Sequence, residues 1–258
     1  MDATSTATRT VLPATRADSA RWFYVAMAGV GVLIAFGGFT PTYWSRVAAG
    51  SFGGAPVLHI HGALFFAWTL FFLAQTWLVA AGRTPDHRQW GLAGISLATA
   101  MLCAGLLAVL QMIASARALG VAEAGLRFAI VPLSALVLFA GFFALAIANV
   151  KRSEVHKRLM LMTMIPLMQP AIGRVFLTLF APPGVVGPPP VFVALPPGLV
   201  ADLLVVAAML FDWRTRGRPH PVYWVCGALL AASQLLAVPL SATPGWMVLA
   251  RAFASLAA

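Results

Sequence analysis

The segment VLHIHGALFFAWTLFFLAQTWLVA, residues 57–80, is apolar at almost every position but carries two histidines near its start, His59 and His61. A run of about 20 apolar residues is long enough to cross the hydrocarbon core of a bilayer as a helix. The whole chain has the same character, since 61% of its 258 residues are hydrophobic and only 9% are charged. Soluble domains carry roughly a quarter charged residues. The composition therefore predicts an integral membrane protein whose helices satisfy their own backbone hydrogen bonds.

Apolar runs of this kind predict an all-α bundle of seven transmembrane helices, at residues 22–40, 57–80, 90–113, 127–148, 158–180, 195–213 and 221–241. Residues 1–21 are polar and predict a cytosolic tail, which leaves 22–241 as the transmembrane domain. The final segment, 242–258, is too short to span and predicts an amphipathic helix at the membrane interface.

The distribution of basic residues predicts the orientation of the bundle. The amino-terminal tail and every second loop hold most of the 17 Lys and Arg residues, namely Arg9, Arg16, Arg21, Arg83, Arg88, Lys151, Arg152, Lys157, Arg158, Arg214, Arg216 and Arg218. Loops rich in Lys and Arg stay in the cytosol, so the amino terminus is expected inside and the carboxyl terminus outside a bacterial inner membrane. Because this charge lies in short loops, the net charge of +10 does not predict nucleic-acid binding.

Three of the basic loops end in the pattern Arg-x-x-x-His: RTPDH at His87, RSEVH at His156 and RGRPH at His220. Each histidine precedes a predicted span, which suggests a degenerate repeat of two-helix units. One interpretation is that these imidazoles bind a haem iron while Arg88 and Arg158 pair with its propionates. The other is that basic loops with headgroup-level histidines serve only as topological anchors.

A second polar set is predicted near the outer side of the bundle. Arg174 and Asp202 lie at similar depths in adjacent spans, so an ion pair between them would lower the cost of burying each charge. A regular helix points His59 and His61 in different directions, so at most one of them joins a shared site. We expect an outward-facing polar pocket under the proline-rich segment 181–198, built from one of His59 and His61 together with Arg174, Asp202 and either Gln111 or Gln169.

The segments HIHG (59–62), HRQWG (87–91) and HKRLM (156–160) resemble motifs of small bacterial inner-membrane proteins. Those proteins are similar to the haem-carrying bundles of the cytochrome b561 and haem A synthase type. The resemblance covers about residues 57–175 and implies a b-type haem near the cytosolic side, with His87 and His156 as axial ligands. Cytochrome b561-type bundles also pair histidines near the outer side. Here only His59 and His61 are available there, so a second haem would need another ligand such as Met112.

Three functional hypotheses follow from these features. The first is haem-linked electron transfer, with a quinone or a membrane redox complex as partner. The second is a transporter or a small-molecule or lipid-binding protein that uses the outer pocket, and the third is a non-catalytic assembly subunit. The sequence contains no phosphate-binding glycine loop, no His-Glu-x-x-His motif and no serine-nucleophile elbow. Its two cysteines, Cys103 and Cys226, lie in separate apolar runs and predict neither a disulfide framework nor a zinc site.

Overall fold

The structure, a computed structural model, describes residues 16–257 of the chain, with the side chains of residues 21–256. Within this part the protein is 85% helical and has no strand. Seven helical segments are long and apolar enough to cross a membrane: Arg21–Ala48, Pro56–Ala80, Thr84–Ala118, Ala122–Ala148, Ser153–Phe180, Val191–Arg216 and Pro221–Leu240. The predicted seven-helix architecture is therefore confirmed. Of the predicted tail, residues 1–15 lie outside the described residues, and the rest belongs to the first helix.

Ten α-helices make up these segments and the carboxyl-terminal region of the described chain. They are α1 (Arg16–Phe39), α2 (Ser45–Ala48), α3 (Pro56–Ala80), α4 (Thr84–Ala118), α5 (Ala122–Phe128), α6 (Ile130–Ala148), α7 (Ser153–Phe180), α8 (Leu195–Arg216), α9 (Pro221–Leu240) and α10 (Pro244–Ala254). A π-helical turn, Thr40–Trp44, joins α1 to α2, and a 3₁₀ turn, Val191–Ala194, leads into α8. Proline opens α3, α9 and α10, where its missing N–H group costs no helical hydrogen bond.

Short connections make successive spanning segments antiparallel and give the bundle two chemically different ends. The "basic end" holds the start of α1 and the loops 81–83, 149–152 and 217–220. The "proline-rich end" holds the loops 49–55, 119–121 and 181–190 and the start of α10. At the basic end, Gly82 and Gly217 close their turns with left-handed φ angles of 76° and 79°, which side chains with a Cβ rarely adopt.

Helix α7 lies at the centre of the bundle and packs against α1, α6, α8 and α9. Its residues Met162, Ile165 and Met168 are fully buried in the main apolar core. Where α1 crosses α7 the backbones come very close, since a Cβ on Gly38 would lie 2.5 Å from the carbonyl oxygen of Ala171. The helix that carries HKRLM is therefore held by neighbours on most of its sides.

Helix α10 lies in the carboxyl-terminal segment for which the sequence predicted an amphipathic interfacial helix. Met247, Ala250 and Ala254 bury one side of it against α4 and α5. The Trp246 indole also donates a hydrogen bond, 3.0 Å long, to the backbone carbonyl of Leu126. The opposite side, with Val248 and Leu249, remains exposed.

Candidate functional site

Two histidines from the Arg-x-x-x-His loops meet at the basic end of the bundle. His87 lies in the first turn of α4 and His156 in the first turn of α7, so both helices bring an imidazole to the same depth. The ring centroids are 6.3 Å apart and the ring planes are inclined at 71°. The sequence predicted these residues as partners, and the fold places them side by side.

The hydrogen bonds of this histidine pair leave ring nitrogens available for a ligand. His156 donates from Nδ1 to the carbonyl oxygen of Ala146 at 2.8 Å, because a carbonyl can only accept. When neutral, His156 therefore has its free lone pair on Nε2. Ligating histidines are usually oriented in this way, by a hydrogen bond from the other ring nitrogen. The Nδ1 atom of His87 is buried and has no hydrogen-bond partner in the described part of the protein.

The distance between the two ring centroids can be compared with that of two imidazoles bound to one metal ion. With metal–nitrogen bonds of about 2.0–2.1 Å and about 1.1–1.2 Å from nitrogen to ring centre, two imidazoles on opposite sides of one ion have centroids about 6.2–6.6 Å apart. The observed 6.3 Å lies in this interval. Among the described residues no group of three or more His, Cys, Asp or Glu side chains could hold a metal ion. A bare metal site needs three or four protein ligands, so these two histidines alone would leave coordination positions to be filled by other ligands.

His220, the third histidine of the repeat, does not join this pair. Its backbone N–H donates to Asp212 at 3.1 Å, and its Nδ1 accepts from the Val222 N–H at 3.2 Å, which caps the start of α9. Burial lowers the pKa of His220 below its usual value, and the nearby charges of Arg158 and Arg216 lower it further. The repeat therefore has two copies that converge and one that caps a helix.

Arg158, predicted to pair with a haem propionate, is instead enclosed in an ion-pair network. Its guanidinium donates to both carboxylate oxygens of Asp212, from Nε at 2.9 Å and from Nη2 at 2.6 Å. Its Nη1 donates to the Glu154 carbonyl and carboxylate at 2.7 and 2.8 Å. The Arg158 and Asp212 side chains are only 2% and 1% exposed, so neither faces a ligand. Arg88, by contrast, is exposed beside His87.

Sequence reasoning missed Asp212 and the residues that surround this network. Glu154 also binds Lys157 at 2.5 Å and Arg216, which ties α7 to the end of α8. Beside this network, the hydroxyl oxygens of Tyr24 and Tyr223 lie 3.2 Å apart. One signal was present in the sequence. Asp212 lies about one helical turn from Arg214 and Arg216, at the same predicted end of the bundle as the charged segment 151–158.

The residues predicted to form an outer polar pocket lie in separate surroundings. His59 shares a 2.9 Å hydrogen bond with the Tyr43 hydroxyl, whereas the His61 ring packs on Phe65 with centroids 4.2 Å apart. Gln111 donates to Ser115 on its own helix at 3.1 Å. Only Gln169 and Asp202 come close to a common neighbour, because both lie near Gln234 on α9.

The predicted ion pair between Arg174 and Asp202 is not formed. Asp202 faces α9 and accepts a hydrogen bond from the Gln234 amide at 3.2 Å. Arg174 lies on the surface of α7. The two residues have similar depths, but their side chains leave α7 and α8 in different directions. A cavity of ≈ 10 Å³ adjoins Gln169 and Gln234, with room for about one water molecule.

Comparison with known proteins adds no relative from which a role could be transferred. No family model matches the chain. No curated protein and no solved structure matches it either. The resemblance to cytochrome b561-type bundles stays a prediction.

Proposed function

We propose that this protein binds a b-type haem, with His87 and His156 as the axial ligands, and that it transfers electrons within a membrane. The observation that carries the proposal is the 6.3 Å separation of two imidazoles presented by different helices. A bound haem would supply one-electron redox chemistry, at a potential set by its axial ligands and surroundings.

The surrounding residues have roles that are consistent with this proposal. The Ala146 carbonyl orients the His156 ring and makes its Nε2 more basic, as outer partners of ligating histidines do. The buried, unpaired Nδ1 atom of His87 would gain a partner on coordination, which would remove the cost of leaving it unsatisfied. Arg88 is exposed, so its guanidinium would be free to pair with a propionate.

We further propose that the basic end faces the cytosol of a bacterial cell and that the carboxyl terminus lies outside. The loops at this end hold most of the basic residues, as expected for cytosolic loops. A belt of tryptophans at the same end, between 44% and 63% exposed, supports a membrane interface there: Trp22, Trp77, Trp90, Trp213 and Trp224. The electron partner would then be a quinone or a membrane redox complex that approaches this end.

The direct test is an absorption spectrum of the detergent-purified protein, produced in haem-replete cells, before and after reduction with dithionite. We expect a Soret band that shifts on reduction and a reduced α band of b type. His87→Ala and His156→Ala should each abolish these bands. His220→Ala is the matched control, because it removes the same side chain from the third copy of the repeat and should leave the spectrum unchanged.

Two outcomes would contradict the proposal. One is a flat visible spectrum from protein that elutes as a single folded species. The other is a set of bands that persists unchanged in both His87→Ala and His156→Ala, which would show that neither histidine is an axial ligand. The orientation is tested separately with carboxyl-terminal reporters. A periplasmic terminus predicts active alkaline phosphatase and a dark green fluorescent protein, and the reverse result would invert the proposed topology.

A further inference from the structure

A cleft at the proline-rich end, far from the histidine pair, has the features of a ligand site. Its volume is ≈ 470 Å³, within the range of about 300–1,000 Å³ that is usual for small-molecule sites. It is lined by the segment 188–190 with Phe192, by residues of α5, and by Val238 at the end of α9 with Ala242 just beyond it. The lining is apolar except for Glu123, Arg127 and the hydroxyl of Ser241.

The walls of this cleft are held in place by contacts at both ends of the proline segment. Gly187 has a left-handed φ of 81° and lies so close to Val121, the residue before α5, that an added Cβ would be 2.6 Å from a methyl group of that valine. At the other end, Val191 is buried against Ile130 and Ala237. The three prolines between these anchors fix their own φ angles. The cleft is therefore preformed, and a ligand would lose little free energy in ordering it.

The polar groups of the cleft form an ion pair with unused bonding capacity. Arg127 donates from Nε and Nη2 to a single oxygen of Glu123, at 2.9 and 2.5 Å. Among the described residues, the Arg127 Nη1 and the second Glu123 oxygen make no hydrogen bond. The pair carries no net charge but offers a cationic donor and an anionic acceptor side by side. An anionic headgroup would meet repulsion from Glu123, and a cationic one would meet repulsion from Arg127.

The cleft lies at the level where apolar spanning segments end. The candidate span that contains α5 starts at Ala122, and the span formed by α9 ends at Leu240. A ligand in the cleft thus has hydrocarbon-facing helices on one side and a polar boundary on the other. This position suits an amphiphile with an apolar tail and a small polar head.

We propose that the cleft binds a zwitterionic phospholipid, phosphatidylethanolamine, with one acyl chain against Phe192 and Val238. Its phosphate pairs with Arg127 and its ammonium group pairs with Glu123, so that each headgroup charge meets the opposite charge of the protein. The inference does not depend on haem binding, which concerns the other end of the bundle.

The experiment is native mass spectrometry of the full-length protein released from vesicles of equal parts phosphatidylethanolamine and phosphatidylglycerol. Wild-type protein should retain one phosphatidylethanolamine in preference to phosphatidylglycerol. Ala242→Trp fills the cleft and should abolish retention, while Arg127→Gln removes the phosphate partner and should weaken it at least about tenfold.

Two controls at the same end of the bundle keep the result interpretable. Leu119→Trp adds the same side chain at an exposed apolar position outside the cleft, and Arg117→Gln removes an arginine from the same region. Both should retain phosphatidylethanolamine as the wild type does. Equal retention in all five proteins, or a wild-type preference for phosphatidylglycerol, would overturn the proposal.

Discussion

The buried ion pair of Arg158 and Asp212 gives the sharpest stability prediction. Asp212→Ala removes both acceptors of the guanidinium, and the Arg158 side chain, which is 2% exposed, cannot turn to water. Breaking a buried pair by removing one partner costs about 3–5 kcal/mol, because the remaining charge stays buried without compensation. The bond from Arg158 to Glu154 survives, so we expect a loss of about 3 kcal/mol in the free energy of unfolding.

Reversible unfolding by sodium dodecyl sulphate in mixed micelles, followed by tryptophan fluorescence, measures this difference. Asp86→Ala is the matched control, because it breaks the ion pair of Arg83 and Asp86, whose side chains are 56% and 38% exposed. Exposed pairs contribute about 0–1 kcal/mol. The double variant Arg158→Met with Asp212→Leu leaves neither buried charge and should recover most of the stability. The reasoning is refuted if Asp212→Ala costs no more than Asp86→Ala.

Two further predictions use the same unfolding assay. Gly38→Ala should destabilise the bundle by about 1–3 kcal/mol, because its Cβ would clash with the Ala171 carbonyl across the α1–α7 contact. Gly37→Ala, the adjacent position with nothing within 4 Å, should be neutral or slightly stabilising, and an equal loss in both variants would contradict this account. The pKa of His220 is lowered in the folded protein. The stability that its neutral ring contributes is therefore fully present above the unfolded-state pKa of about 6.5, and it is lost as pH falls toward the lowered pKa of the folded state. His220→Asn keeps a side-chain acceptor for the Val222 N–H but has no titrating ring. We therefore expect this variant to lose less stability than the wild type between pH 7.5 and 5. Identical pH profiles of the two proteins would show that His220 does not titrate in this range.

The predicted spans agree with the helices because membrane-spanning helices depend on local properties of the chain. Apolar length, flanking prolines and glycine turns are all encoded within a few residues of each helix end. The predicted span that contains Asp202 also corresponds to a long apolar helical segment, since one acidic residue hardly alters the mean hydropathy of its segment. The same local argument placed His87 and His156 at helix starts on one end of the bundle.

The candidate site was predicted in part, and the failures have a common cause. The basic loops placed three histidines at one end of the bundle, and the resemblance to cytochrome b561-type bundles singled out His87 and His156 among them. Residue counting along a helix gives depth, at 1.5 Å per residue. Depth was the basis for matching Arg174 with Asp202, and this match failed because the rotation of each helix was unknown. The same missing information hid Asp212, whose partner is 54 residues away in the sequence.

By itself, the sequence determined the number of candidate membrane spans, their approximate ends and the clustering of basic residues in alternate loops. These follow from hydropathy and turn chemistry, which act within a few residues. Only the tertiary structure decided which face each helix turns toward its neighbours. The orientation of the helices places His156 beside His87, buries Arg158 against Asp212 and keeps His220 apart from both histidines. Helix rotation follows from the packing of side chains from distant segments around α7, and no local stretch of sequence contains it.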